Sequence, residues 1–552
     1  MKGKEIIEVA GKLFAKRSTL ESLWQEIAEH FYPERADFTV KREFGEEFAA
    51  DLETSYPLLA RRDLGNAIGT MLRPRGMEWF ELRLARPDRE DNQALRWMQW
   101  AASIQRRAMY DKRASFVRAT KEGDNDWAAF GQAVISVEMN AARDALLFRS
   151  WHLGNVAWLE NADGMIDTVY RRWKPERRQM IELWGKHPRA KLSEKIIGDD
   201  YEKRKFETVN CLHCIMPTEK YEPPVGEPRS TKQYVSLHID VDHEEIILTE
   251  FVDRMIYVIP RWQTVSGSQY AHSPATVCAL PEARLLQSMT GTLLEAGEKA
   301  TNPPLIATQE AIAGNIATYA GGVTWADAKY DERLGDVLRP ITQDLRGIPL
   351  GMELRLDTRD IISEAFFLSK IALPLKNEEM TAFEVQQRVT EFIRNAAPLF
   401  EPMEDEYNGQ LCEESFAVLQ ANGGFGSPFD MPRSLQGQET VFQFQSPLRD
   451  AYERQKGQKF LETKQMLAQA VELDPATAYM VDARESLRDV LNGLNVPARW
   501  MRPERQVTAL AEEERKKQQA NQLLADAAQA GKSAKAMGEG AAAMGDAARM
   551  AV

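Results

Sequence analysis

Between Met77 and Ile259 the sequence keeps changing its hydrophobic period, and no other feature constrains the fold as much. Short β-prone runs (Trp79–Leu84, Leu146–Trp151, Met165–Arg172, Tyr234–Ile239, Glu245–Phe251, Met255–Ile259) alternate with helical stretches such as Gln93–Tyr110. A strand repeats every two residues and a helix every 3.6, so a segment that switches this often predicts a mixed α+β body. Ahead of it, Ile6, Ile7, Val9, Ala10, Leu13 and Phe14, then Leu20, Leu23, Trp24, Ile27 and Ala28, keep helical spacing on either side of Arg17-Ser18-Thr19. Two helices open the chain.

Beyond the Pro260–Pro274 loop the reading turns helical. Pro281 suits the first turn of a helix whose Leu286, Met289, Leu293 and Ala296 follow a 3,4,3 spacing and which Pro303-Pro304 must end. Residues 305–338 are β-prone and Gly-rich; Leu350, Met352, Leu354 and Leu356 alternate as a strand would, and Ile361, Ile362, Ala365 and Phe366 return to helical spacing. Thr381-Ala-Phe-Glu384 has capping-box spacing and predicts a long helix continuing through Leu411, Phe416 and Leu419 until Asn422-Gly423-Gly424. From Leu448 onward nearly everything reads as helix. Ala511–Val552 holds 14 alanines, a strong helix composition whose polar surface buries little by itself.

At 552 residues the chain exceeds what one core supports, about 250–300 residues, so several domains are expected. Its 70 Lys+Arg against 83 Asp+Glu give −13, which argues against a tight sequence-independent clamp on nucleic acid. Cys211, Cys214, Cys278 and Cys412 are too few for a disulfide scaffold and suit a reducing compartment. The charged N-terminus lacks the pattern of a secretory signal, and the uncharged stretches Trp262–Pro281 and Ala311–Ala326 are too polar to span a membrane, so synthesis in the cytoplasm is expected.

Few motifs promise chemistry. Cys211-Leu-His-Cys214 has no second ligand pair and reads as a β-turn with partly buried thiols. His238, Asp240 and Asp242 would share one face of a strand, and with His243 and Glu244 or Glu245 they form the candidate metal set of a nuclease or hydrolase; the plainer reading is an exposed strand face, with no metal and no cofactor. Asn422-Gly-Gly-Phe-Gly426 lacks the GKS/T and the preceding strand of a phosphate loop and reads as a helix cap. Gly65 and Gly69 suit close helix packing, and Trp151, Trp158, Trp173 and Trp184 suit a core.

A series of stretches, taken in order, resembles the head-to-tail connector, or portal, family of short-tailed bacteriophages. They are Ser55–Leu72 with Trp79-Phe80; Leu159-Glu-Asn-Ala-Asp-Gly164 running into Asp167-Thr-Val-Tyr-Arg171; Val258-Ile-Pro-Arg-Trp262 with Ser273-Pro; Ala279-Leu-Pro281 leading to Pro303-Pro304; Thr381-Ala-Phe-Glu-Val385; and Ser446-Pro-Leu448. The resemblance implies a non-catalytic homo-oligomeric ring, twelve subunits in the family, at one capsid vertex. Double-stranded DNA would pass through it during genome packaging and ejection, with the terminase large subunit, tail adaptors, capsid and scaffolding proteins as partners. The protein would be a virion component assembled in the host cytoplasm.

Carried over by position, residues 1–280 with 381–440 look like the wing, 281–302 and 357–371 like two stem helices, and 303–356 like a small mixed clip. Residues 372–380 look like the channel loop, whose Lys376, together with Lys370 at the end of the preceding helix, is a candidate DNA contact, and 441–552 like a helical crown. Leu286, Met289 and Leu293 are the expected ring-facing stripe of the first stem helix.

Overall fold

The computed structural model describes residues 3–43, 45–86, 91–193, 201–223, 230–307, 347–371, 402–427, 431–444, 459–470 and 504–549, with short pieces around 338–341 and 480–502. In it the chain mixes helix and sheet and divides into two compact units.

The larger unit (1–79, 105–424 and 445–448) is opened by the two expected helices, α1 (Gly3–Lys16) and α2 (Ser18–Phe31). Arg17, between them, turns its guanidinium inward onto the carbonyls of Val156 and Gly154, each at 2.5 Å. Five strands, β4 (Val156–Glu160), β5 (Ile166–Trp173), β6 (Cys211–Pro217), β7 (Tyr234–Asp240) and β8 (Glu245–Val252), pair in that order as an antiparallel meander. Alternation decides its two faces. Leu212, Cys214 and Met216 with Val235, Leu237 and Ile239 pack on Ile6, Ala10 and Phe14 of α1. On the other face Cys211, Ile247 and Leu248 meet Met180 and Trp184 of α6 (Arg177–Trp184), whose Glu176 and Gln179 form a capping box that sequence reading passed over.

A second sheet sets β2 (Ile135–Met139) between β3 (Leu146–Ser150) and the short β9 (Tyr257–Val258). Next to it lies α5 (Phe116–Phe130), almost wholly buried along its second half. That half carries Asp124-Asn125-Asp126, and each side chain has an arginine: Arg73 pairs with Asp124, Arg61 donates to Asn125 at 2.6 Å, and Arg35 makes two 3.0 Å bonds to Asp126. Burial pushes both aspartates upward and the arginines pull them back, so the three pairs form a polar seam inside an apolar core. Helix α3 (Tyr56–Leu72) reaches this seam through its two glycines: a Cβ on Gly65 would stand 2.6 Å from Asn125 Oδ1, and one on Gly69 3.0 Å from Asp124 Oδ2.

The smaller unit (80–104, 425–444 and 449–552) pairs β1 (Phe80–Leu84) with β12 (Thr440–Phe444) antiparallel, Phe80 meeting Phe442 edge to face at 5.7 Å. Within it the first part of α4 (Asn92–Met109) holds the turn Ala498–Trp500: Gln99 accepts from the Ala498 N–H at 2.9 Å, and Arg96 donates to the Met501 carbonyl at 3.0 Å. The Ala-rich stretch belongs to a 46-residue helix, α10 (Glu504–Arg549).

Most of the strands anticipated between Met77 and Ile259 lie where expected, with two corrections. Cys211–Cys214 is not a turn: it opens the central strand β6, and both thiols are buried. Leu350–Leu356 is not a strand but part of α8 (Gly347–Ala365). Leucine or methionine at every second position mimics strand alternation, yet here Leu350, Met352, Leu354 and Leu356 all lie exposed around the first turns of a helix. Among the described residues no helix is long and apolar enough to cross a membrane. The Thr381–Glu384 box and the long helix it was expected to open, as far as residue 401, lie outside the described residues, as does most of 441–480.

Candidate functional site

The element that carries the expected site residues is a pair of packed helices, α7 (Pro274–Thr301) and α8. Helix α7 begins seven residues earlier than the Pro281 signal implied. Ser273 caps it, accepting from Thr276 N–H at 3.4 Å, and Pro274 takes the first-turn position, so Pro281 lies inside the helix. Ser273 and Thr276 also donate to the carbonyls of Ala128 (2.7 Å) and Ala129 (2.9 Å) at the end of α5, which fixes the base of α7 in the core. Two to three turns further, Arg284 pairs with Glu26 at 2.5 Å, and Gln287 bonds the backbone of Glu53 and Thr54.

Of the expected ring-facing stripe, Leu286 is fully buried within its own chain, Met289 is half-buried, and Leu293 lies against α8, where a Cβ on Gly351 would meet its Cδ2 at 2.9 Å. Of the three, Leu293 serves the contact between α7 and α8. Exposed apolar residues on the pair include Leu285 (48%) and Leu294 (53%), on opposite flanks of α7, with Leu350, Leu354 and Ile361 on α8. The helix pair was legible in sequence, and α7 carries leucines on more than one side. At the foot of α8, Ile362 and Phe366 are buried, and Phe366 packs on Phe31 with ring centroids 5.3 Å apart. The turn Leu368–Ile371 follows; Lys370 lies in it, the side chain of Lys370 and all of Lys376 falling outside the described residues.

The candidate metal set is not an exposed strand face. His238 and Asp240 do share one side of β7, but α6 covers it: the Trp184 ring lies 5.0 Å from His238, and Asp240 is fully buried. The carboxylate of Asp240 accepts from the backbone N–H of Asp242 (3.0 Å) and His243 (3.2 Å) and holds His243 Nδ1 at 2.7 Å, closing the turn between β7 and β8. Asp242 instead accepts from Asn210, Glu244 pairs with Lys4, and Glu245 stands opposite Asp240 in the ladder. Among the described residues no three His, Cys, Asp or Glu side chains converge as ligands.

His238 stacks on His213, ring centroids 4.1 Å apart and planes within 2°. Arg171 Nε donates to the Tyr257 hydroxyl at 2.7 Å; His213 Nδ1 is hydrogen-bonded to that hydroxyl at 2.5 Å and its Nε2 to Ser236 Oγ at 2.9 Å. Burial lowers both histidines, His213 well below its usual range and His238 to about 3, which keeps them neutral. Burial also pushes Cys211 up to about 12 and Cys214 well above its usual range, which keeps both thiols protonated and poor as nucleophiles or ligands. Trp158 and Trp184 are buried, and Trp151 lies under the Arg171 guanidinium at 3.7 Å.

Compared with known proteins, residues 3–501 match the family model described as bacteriophage head to tail connecting protein. The chain belongs to this family. It is 25% identical over 448 residues to the probable portal protein of Bordetella phage BPP-1, covering 80% of this chain and 78% of that one. It is 21% identical over 548 residues to the portal protein of Salmonella phage epsilon15, covering 97% and 95%.

Proposed function

We propose that this connector acts as the portal: a ring of identical subunits at one capsid vertex, through which double-stranded DNA enters during packaging and leaves on ejection, and on which terminase and tail proteins dock. The observation that carries the reading is the family match over residues 3–501, joined to a helix pair that exposes several leucines among the described residues. In a closed ring each subunit supplies the surface that covers its neighbour's.

In this reading α7 and α8 are the stem, the pair β10 (Leu305–Ala307) and β11 (Leu338–Pro340) belongs to the clip, and α10 lies in the crown. Twelve subunits is the number taken from the family. A wall with the chain's excess of acid repels phosphate and lets DNA slide, while scattered lysines, Lys370 and Lys376 among them, touch it in passing.

Electron micrographs of the purified protein test the assembly: rings with an axial hole are expected, and a compact monomer at micromolar concentration would sink the proposal. Exchanging Lys370 and Lys376 for Ala should leave rings intact and change the DNA packaged or retained; particles with unchanged DNA content and ejection would remove both lysines from the mechanism.

A further inference from the structure

Away from the helix pair, the larger unit holds a cavity of about 760 Å³, within the ~300–1,000 Å³ of built binding sites. Its walls join apolar and aromatic residues, Ile166, Tyr234, Met255 and Ile259 among them, to polar and charged ones that include Arg254 and Arg261, and one side is acidic. Three of its four acids come from one continuous helical stretch, the fourth being Asp253. The π-helical turn Glu404–Gly409 supplies Asp405 and Glu406, and α9 (Gln410–Ala421), which continues it, supplies Glu414. A π turn rotates the residues after it relative to an α-helical course, and such turns concentrate at functional sites.

Two lining carboxylates are already engaged: Glu406 accepts from the Arg261 N–H at 2.9 Å, and Asp253 pairs with Lys232 at 3.4 Å. Arg261 is itself committed to Glu160. Asp405 and Glu414 remain, and among the described residues neither makes an ion pair, Arg254 influencing Glu414 only through space. Two uncommitted carboxylates beside an apolar pocket match a long cationic side chain, whose aliphatic stem lies along apolar surface while its head meets the acids.

We propose that this cavity is a docking site for a basic segment of a partner protein, an arginine or lysine flanked by apolar residues seating between Asp405 and Glu414. The chain's net charge of −13 favours encounter with a basic partner over an acidic one. Burial holds Glu414 near 8, so in the free protein it is mostly protonated at neutral pH. The charged and titratable groups around it are Arg254, Glu413, Tyr234, Asp405 and Glu406, with Glu138 and Arg149 on the strands that α9 contacts. An arriving cation favours the Glu414 carboxylate, so docking releases a proton and tightens as pH rises towards and past 8, levelling off above it.

The test is calorimetric titration of the full-length protein with the peptide acetyl-Leu-Arg-Leu-Arg-amide, and with its Glu-for-Arg counterpart as control. Binding at least tenfold tighter for the basic peptide is expected, strengthening by roughly eightfold from pH 7 to pH 8.5. The double variant Asp405→Asn/Glu414→Gln should weaken it tenfold or more and remove the pH dependence. Should that variant fail to fold, Asp405→Asn alone, expected to weaken binding severalfold, takes its place. Absence of saturable binding at millimolar peptide, equal affinity for the acidic control, or binding indifferent to the substitutions would overturn the proposal. If the peptide binds only after the assembly is dissociated, a second copy fills the cavity and the assignment to a separate partner falls.

Discussion

A Cβ built on Gly131 would fall 2.1 Å from the backbone carbonyl carbon of His272, so at the C-terminal cap of α5 the chain has no room for any side chain. The same residue has φ of +73°, a conformation that L side chains rarely adopt. Its carbonyl accepts from the Trp262 N–H at 2.7 Å, and the Trp127 and Trp262 rings stack at 3.9 Å alongside. Because the obstruction is backbone, no rotamer change relieves it. Gly131→Ala should cost about 3 kcal/mol or more, well above an exposed Gly→Ala change. Chemical denaturation of the variant checks this; a loss under ~1 kcal/mol would show that the junction can open.

Asp124 and Arg73 form an ion pair with side chains only 4% and 3% exposed. Removing one partner leaves the other charged and dry, so Asp124→Ala should destabilise by about 3–5 kcal/mol. Replacing both with apolar residues of similar volume should cost much less. If the double replacement costs as much as the single one, the stranded-charge explanation fails.

Leu285 and Leu286 are neighbours in sequence with opposite fates, one 48% exposed and the other fully buried. Leu285→Asp and Leu294→Asp should therefore fold as wild type by circular dichroism yet fail to form rings in sedimentation. Leu286→Asp should unfold the chain, since a charge would enter the core without a partner. Rings of unchanged size from the Leu285→Asp/Leu294→Asp variant would exclude both flanks of α7 from the assembly.

Glu414 gives the fold a pH dependence whose sign follows from burial. Its folded value of about 8 lies above the ordinary 4.5, so the native chain keeps a proton that the unfolded chain releases. That contribution is present in full below about 4.5 and is lost as pH rises through 8, a few kcal/mol in all. Glu414→Gln should match wild type near pH 4.5 and melt progressively higher than wild type up to pH 8, with a constant gap above. A gap independent of pH would mean that Glu414 ionises freely in the native state.

What could be read from the sequence follows from how local each signal is. Alternation in Tyr234–Ile239 and Glu245–Phe251 located β7 and β8 within a residue or two, because one face of each must be apolar whatever covers it. What covers the other face is decided at long range: Trp184 lies over His238, and nothing near His238 in sequence says so. The same limit explains Leu286 and Leu293. Periodicity finds an apolar stripe but cannot say whether its cover is α8 or another subunit. Asp124-Asn125-Asp126 carried a usable signal, three polar residues on a helix whose Trp127-Ala-Ala-Phe130 is apolar, but the arginines that satisfy them come from 51 to 91 positions away.

The base of α7 also has a mechanical meaning. Pro274–Leu280 are tied into the core through Ser273 and Thr276, the next turns through Arg284, Leu286, Gln287 and Thr290, and beyond Thr290 the helix runs a further eleven residues, about 16 Å at 1.5 Å each. That is a beam clamped along its base. Pro281 removes one backbone hydrogen bond inside the clamped stretch, where the contacts on both sides of it brace the rod. A sideways push at Thr301 then becomes a torque delivered to the carbonyls of Ala128 and Ala129, one turn from the buried aspartates, and the helix serves as a lever as well as a wall.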